Sequence, residues 1–351
     1  MLLRSAATRR RDAAAGATAG IAISCRVRLA RNLDGDKFPE WADEAARRAV
    51  FDRVAPWLAR EAGIPQARIV PVGDLDEVTR GLLRERRLIS RELAEGGPGS
   101  GLVVSDDERV AVMINEEDHL RIQVIEPGMD LHRAWATADA LDTGLERQFP
   151  YAFSGKLGYL TACPSNVGTG LRASVMVHLL GLRLANDLDA VLRALERLRL
   201  TVRGVGGEGS EAAGHMFQIS NQETLGEDEM ALIDDLLDVV GDVVQQERNA
   251  RLRLRRDSPE ILLDCVARAL AIIQSARVME TEEALDYLCA LRLGVSMGLV
   301  RRLTIREIDA LTLAIQPGHL QRTLGKTLEP PRRDIVRANV MRELLARAAL
   351  G

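Results

Sequence analysis

The sequence predicts an α+β protein built in two parts, and three observations carry that reading. Short runs rich in Val, Ile and Leu alternate with amphipathic segments from Ile21 to about Arg256. From Pro259 onward no stretch reads as a strand, and segments of helical periodicity are separated by Gly and Pro. Between the two parts, Arg248 to Arg256 is a basic stretch that reads as a hinge. The expected organisation is a flexible tail over 1–20, a mixed domain over 21–256 and a small all-α domain over 257–351.

A chain of 351 residues, 46% of them hydrophobic, suits a soluble two-domain protein. With 47 basic and 51 acidic side chains the net charge is −4, which excludes a polybasic nucleic-acid binder and leaves anion binding to local clusters. The cysteines Cys25, Cys163, Cys265 and Cys289 have neither metal nor disulfide spacing, so a reducing cytoplasm and no metal site in the protein are expected. No apolar run is long enough to span a membrane. The first 20 residues, with Arg9-Arg10-Arg11, lack the apolar core of a secretory signal and read as a tail rather than a targeting sequence.

Ile21 to Leu29 alternates as a strand, so Arg26 and Arg28 emerge on one face, where two like charges call for an anion or for solvent. Residues 40–62 read as helix until Gly63 and Pro65, Arg68–Val72 as a short strand, and Leu75–Leu93 as one charged helix. After the glycine-rich loop at 96–101 come strands Leu102–Ser105 and Val110–Ile114, then a turn holding Glu116, Glu117, Asp118 and His119, with Arg121 and Gln123 on one face of the strand beyond. Consecutive carboxylates in a turn repel one another, so either solvent or a cationic ligand is expected against them. Residues 129–148 form an amphipathic helix.

Gly158 to Leu179 is the centre of the chain: a β-prone run ending at Cys163, a Pro-Ser-Asn and Gly-Thr-Gly loop, and an alternating strand. On that strand Arg172, Ser174, Met176 and His178 share one face, and Ala173, Val175, Val177 and Leu179 the other, which packs inward. Leu188–Leu198 reads as helix, Leu200–Arg203 as strand, and Gly204 to Glu211 as a mobile flap with Glu208 at its tip; lacking a Gly-Lys-Ser/Thr ending, it is not a P-loop. Met216–Ser220 is a strand and Glu227 to about Arg256 a long helix. Helices follow at Leu262–Arg277, Thr281–Leu293, Thr304–Ile315, Gly318–Leu324 and Pro331–Leu350, the last placing Arg333 and Arg337 one turn apart, which by pattern alone is a solvated face.

Arg26, Arg28, Arg121, Arg172 and Arg203 all lie on or at the ends of expected strands. In one sheet they would build a cationic floor, and arginine suits bidentate recognition of phosphate oxygens. Acids beside such a floor suit a cationic phosphoryl acceptor.

Cys163-Pro164-Ser165-Asn166-Val167-Gly168-Thr169, Asn115-Glu116-Glu117-Asp118-His119-Leu120-Arg121, Ser24-Cys25-Arg26-Val27-Arg28-Leu29 and Arg203-Gly204-Val205-Gly206-Gly207-Glu208 together resemble the phosphagen (ATP:guanidino) kinases, most closely the branch that phosphorylates protein arginine. The resemblance covers roughly residues 21–250 and implies an antiparallel sheet flanked by helices, with ATP and Mg²⁺ as cofactors. It assigns the nucleotide to Ser24, Cys25, Arg26, Val27, Arg28, Arg121, Arg172, Ala173, Ser174, Val175, Met176, Arg203, Gly204, Val205, Gly206, Gly207 and Glu208. It assigns the guanidinium to Glu117, Glu208 and Cys163: Glu117 as base, Glu208 as second clamp, and Cys163 as a thiolate that pairs with the cation. A buried structural cysteine is the alternative for Cys163. Arg333, Asp334, Arg337 and Ala338 resemble a phosphoarginine-sensing pocket. Departures are Arg87 in place of a nucleotide-contacting histidine, Cys25 in place of Ser or Thr, and Leu180 in place of Pro. Guanidino kinases acting on small molecules carry a helical domain ahead of the catalytic one. Only about two dozen residues precede Arg26, so a polypeptide acceptor is expected. The resemblance further implies stress-response quality control, a zinc-binding activator protein, a Clp-type protease and, as one option, a homodimer. A small-molecule guanidino kinase and a non-catalytic phosphoarginine-binding adaptor are the competing readings.

Overall fold

A computed structural model describes residues 20–204 and 213–351. Two compact units divide them, one of Ser24–Ser174 and Ser220–Leu237, the other of residues 20–23, Val175–Ile219 and Asp238–Gly351.

Eight strands form one sheet in the order β2-β3-β4-β5-β1-β8-β10-β9. They are β1 (Ala22–Arg31), β2 (Arg68–Pro71), β3 (Gly101–Val104), β4 (Val110–Ile114), β5 (Leu120–Pro127), β8 (Leu171–His178), β9 (Leu200–Gly204) and β10 (Met216–Asn221). From β2 to β1 every neighbouring pair is antiparallel. Register sorts the side chains. Arg28 lies opposite Gln123, Gln123 opposite Ala111, Arg121 opposite Met113, and Met113 opposite Leu102. Residues directly opposite share a face, so one face runs from an apolar half on β3 and β4 to an arginine-bearing half on β5 and β1.

The apolar half packs Leu102, Val104, Ala111 and Met113 against Leu83, Leu88, Ile89 and Leu93. Leu83 and Leu93 come from two short helices, α2 (Glu77–Glu85) and α3 (Arg91–Glu95), and Leu88 and Ile89 from the break between them, where a single helix was expected over Leu75–Leu93. The break has local causes. Asp76 caps α2 through Thr79 N at 2.8 Å, Ser90 caps α3 through Leu93 N at 3.0 Å, and between them Arg87 adopts a left-handed φ of 59°. Arg86 is held in the break by an ion pair with buried Glu108. The remaining helices of this unit are α1 (Glu44–Arg60), which starts later than expected and leaves Trp41 exposed, and α4 (Leu131–Gln148).

Along β8 both faces are covered, since Ser174 and His178 are as buried as Ala173, Val175 and Val177. The expected inward packing of Ala173, Val175, Val177 and Leu179 is observed, and on the other face Arg172 is the half-buried residue. Before it, only Gly158–Tyr159 is strand (β7), paired with β6 (Phe153–Ser154). Leu160 N still donates to Ala152 O at 2.9 Å, and beyond it the chain leaves the hairpin, with Asp118 taking the Ala162 N–H at 2.7 Å.

The second unit holds α5 (Leu180–Leu184) and α6 (Leu188–Arg197), and the long helix α7 (Glu229–Asp257) follows them in the chain. Then follow α8 (Pro259–Ser275), α9 (Thr281–Ser296), α10 (Ile305–Ala314), α11 (Pro317–Leu324) and α12 (Pro330–Leu345). Leu262, Val266, Ile273, Leu288, Leu291, Ile308 and Met341 make their shared core. The end of the chain is a correction: it is not helical to Leu350, because β12 (Ala349–Leu350) pairs with β11 (Val300–Arg301).

Candidate active site

Arg26 and Arg28, two apart on β1, emerge side by side on the face described above. Arg121 lies on β5 and Arg172 on β8, the two strands flanking β1. Arg87 joins them from the break between α2 and α3, its carbonyl held by Gln123 Nε2 at 2.8 Å. Burial, and then the positive charges of Arg87, Arg121 and Arg172, push Arg26 down to about 9. Burial and the charges of Arg26, Arg121 and Arg172 hold Arg28 well below the ordinary guanidinium range, with only Glu116 opposing them. Arginine does not deprotonate at neutral pH, so these shifts express first the burial of the two cations and then their repulsion by neighbouring guanidinium groups, which an anion would relieve. Arg28 Nε is also buried without a hydrogen-bond partner among the described residues. The arrangement fits a polyphosphate.

The two sides of β1 and β8 separate the other expected nucleotide residues. Cys25, Val27, Ala173 and Val175 are buried on the side opposite the arginines, so any contact from them is through the main chain. Burial raises the Cys25 thiol to about 12. Ser24, Ser174 and Met176 share the arginine side, and Ser174 Oγ donates to Arg26 O at 3.5 Å. Arg203 is half-buried on edge strand β9, which ends at Gly204. Val205, Gly206, Gly207 and Glu208 lie outside the described residues.

The acidic turn joins β4 to β5, its first residue Asn115 at a φ of 56°. Its carboxylates have separate tasks. Asp118, fully buried, accepts from Asn32 Nδ2 at 2.6 Å and Ala162 N at 2.7 Å. Glu116 has a fully buried side chain and binds Arg121 at 2.6 Å; burial raises its pKa and Arg121 opposes the rise. Glu117 reaches Arg121 at 3.0 Å while 43% of its side chain faces solvent, so it alone of the three is open to a ligand. The repulsion expected to require a cationic ligand is already eased by Arg121, which is the correction the structure makes to that argument. His119 is structural: Nδ1 accepts from Leu33 N at 3.1 Å, Nε2 donates to Lys37 O at 3.0 Å, and burial lowers its pKa, fixing a neutral ring.

Cys163 is half-exposed rather than a core cysteine, and its Sγ lies 3.0 Å from Ser165 Oγ. The Asp118–Ala162 hydrogen bond ties the two candidate groups together, because Glu117 precedes one partner and Cys163 follows the other. Gly158 and Gly168 allow the loop to close, since a Cβ on Gly158 would collide with the Gly168 backbone and one on Gly168 with Thr224 O. Sequence reasoning missed Asn32, Asp118 and Gln123 as the supports of this site. Their available signal was modest, an Asn directly after the arginine strand and a Gln two residues beyond Arg121.

On α12, Arg337 is 1% exposed and donates to Ile315 O at 2.9 Å, Met279 O at 2.8 Å and Asp334 Oδ1 at 2.6 Å. Ala338 is buried beside it, and Arg333 is half-buried, donating to Leu328 O at 3.3 Å. Arg337 is thus no solvated surface arginine.

A family model for the ATP:guanido phosphotransferase C-terminal catalytic domain matches residues 52–250, and one for the protein-arginine kinase McsB C-terminal domain matches residues 259–350. A protein-arginine kinase of Halothermothrix orenii is 44% identical over 325 residues, 93% of each chain. One of Moorella thermoacetica is 45% identical over 336 residues, covering 94% of this chain and 95% of its own. Among solved structures, lombricine kinase superposes with a TM-score of 0.56 at 25% identity, over 69% of this chain and 70% of that one. The duplicated taurocyamine kinase of Schistosoma mansoni, with a TM-score of 0.59 at 22% identity over 73% of this chain and 38% of its own, shares the fold. The chain belongs to the ATP:guanido phosphotransferases and, within them, to the protein-arginine kinase family.

Proposed function

We propose that the chain transfers the terminal phosphoryl group of ATP to arginine side chains of proteins. The observation that carries this reading is a group of like-charged arginines on β1, β5 and β8 beside an acid, Glu117, that is open to a ligand. In this reading Arg26, Arg28, Arg87, Arg121 and Arg172 hold the polyphosphate and spread the charge that develops during transfer. For Arg203, Gly204, Val205, Gly206, Gly207 and Glu208 a role toward the nucleotide rests on the motif resemblance alone. Mg²⁺ bound to the nucleotide phosphates would supply further charge neutralisation; among the described residues no group of three metal-ligating side chains occurs.

The acceptor guanidinium is no nucleophile until it gives up a proton. Glu117 takes that proton from the attacking nitrogen as the N–P bond forms, and the bond from phosphorus to the bridging oxygen breaks with its electron pair leaving on ADP. Cys163, with Ser165 Oγ against its sulfur, and Glu208 hold the rest of the cation. The proposal extends to a catalytic domain over 21–256 and a helical domain over 257–351, with Arg333, Asp334, Arg337 and Ala338 of the latter as a phosphoarginine pocket. A cytoplasmic setting, stress-linked degradation through a Clp-type protease, a zinc-binding activator and a homodimer belong to the same proposal. Among the described residues no helix is long and apolar enough to cross a membrane.

The test is incubation of the purified chain with ATP, Mg²⁺ and an unfolded arginine-rich protein, followed by mass spectrometry. Acid-labile phosphate on arginine, with no ATP consumed on free arginine, is expected. Turnover of free arginine alone would make it a small-molecule kinase, and binding of phosphoarginine without transfer would make it an adaptor.

A further inference from the structure

The chain has only eleven aromatic side chains, three Trp, three Tyr and five Phe. Three of them, Tyr151, Phe153 and Tyr159, lie on or beside the β6–β7 hairpin that stands against the Cys163 loop. Two are anchors. Tyr151 is buried, and the Arg31 guanidinium lies 3.5 Å from the Tyr159 ring centroid. Phe153 sits across the hairpin from Tyr159, ring centroids 5.3 Å apart, yet it is 59% exposed. Leu157 in the hairpin turn is 47% exposed and Leu225 is 57% exposed.

The hairpin that carries Phe153 and Leu157 and the segment that carries Leu225 both border one loop. Tyr159 N donates to Gly168 O at 2.8 Å, joining the hairpin to the loop that starts at Cys163. From the other side, Thr224 Oγ1 donates to Ser165 O at 3.1 Å and Val167 O at 2.7 Å, which sets Leu225 beside Gly168. The support is stiff. Ala152 N donates to Asn32 O at 2.8 Å, Leu160 N to Ala152 O at 2.9 Å, and Asn32 Nδ2 to Leu160 O at 3.1 Å. Apolar side chains held out by a rigid support lose little freedom when something covers them.

We infer that Phe153, Leu157 and Leu225 form an apolar lip that docks the residues flanking the acceptor arginine in an extended polypeptide, so that arginines in apolar sequence contexts are preferred. The inference rests on reading Glu117 and Cys163 as the acceptor site, with which the lip is continuous. An extended chain advances about 3.3 Å per residue, so the positions adjoining the acceptor arginine are those the lip would meet. A folded protein has buried such apolar neighbours already, and an unfolded one presents them. The occupant is therefore an apolar segment of unfolded polypeptide.

The test uses the full chain, ATP, Mg²⁺ and two peptides with a single arginine, flanked on both sides by either Leu and Phe or Ser. The wild type is expected to show a kcat/KM roughly tenfold higher for the apolar peptide. In the double variant Phe153→Ser, Leu157→Ser the preference disappears while the Ser-flanked peptide reacts at the wild-type rate, which also reports intact folding. Val278→Ser, which changes a residue of equal exposure to Leu225 at 57%, keeps the preference. A wild type without preference, a preference that survives in the double variant, or equal loss on both peptides overturns the inference. A change in sedimentation mass of the double variant would assign the lip to a second copy of the chain and overturn it as well. If the wild type phosphorylates neither peptide, the acceptor reading itself falls and takes the lip with it.

Discussion

Strand β1 holds two kinds of arginine within six residues. At its end Arg31 is 1% exposed and its charge is met by Asp142 at 2.7 Å, by the carbonyls of Ala30 and Thr169 at 2.9 Å, and by the Tyr159 ring. The helical unit follows the same rule: Arg251 has Glu247, Arg292 has Asp309 and Arg337 has Asp334. Arg26 and Arg28 are set instead among Arg87, Arg121 and Arg172. Arg31 and its counterparts hold the fold, whereas Arg26 and Arg28, in the site proposed for the nucleotide phosphates, stand among other guanidinium groups. Burial alone does not distinguish them; the sign of the neighbouring charge does.

The comparison breaks first at Arg28. Arg28→Met is expected to lower phosphoarginine formation by about 10³-fold, the scale of an arginine that meets transition-state charge, with stability unchanged or raised because like charges move apart. Arg31→Met is expected to do the reverse. It leaves Asp142 buried and unpaired and removes about 3–5 kcal/mol of unfolding free energy by urea titration. Equal stability losses in the two variants would erase the distinction.

Glu117→Gln sharpens the acceptor side. Loss of the base is expected to reduce kcat by about 10²–10⁴-fold with ATP affinity kept, whereas a large rise in KM for ATP would move Glu117 into the nucleotide site. A smaller effect concerns His178, buried against Cys289 Sγ at 2.7 Å and Arg251 at 3.0 Å. Burial and the charge of Arg251 push its pKa well down. The unfolded state therefore binds the proton that the folded state refuses. Stability is fully present above the unfolded value near 6.5 and is lost as pH falls below it. From pH 7.5 to 5.5 His178 is expected to remove about 1.4 kcal/mol, and His178→Gln should flatten that part of the slope.

Much of the fold was legible because its periodicities are strong: the alternation at Arg26 and Arg28, the apolar run of β4 and the long helix α7. What was not legible depended on partners distant in sequence. The break at Arg87 needs Glu108 to hold Arg86 and Gln123 to hold the Arg87 carbonyl. Nothing near Asp118 in sequence says that it is a strut for Ala162 while Glu117 is the open acid. The arginine cluster was legible in its members from β1, β5 and β8, since one sheet with the right register was enough to bring them together. Arg203 and Glu208 were read from the same motif. The first has a place on β9, and the second lies outside the described residues.

The direct test of the central claim is a thermal melt of wild type and Arg28→Met, each with and without ATP. The account predicts a wild-type Tm that rises with ATP, and a variant whose starting Tm is at or above that of the wild type but which ATP no longer moves. A variant that starts lower and still responds fully to ATP would make Arg28 one more structural arginine and contradict the claim.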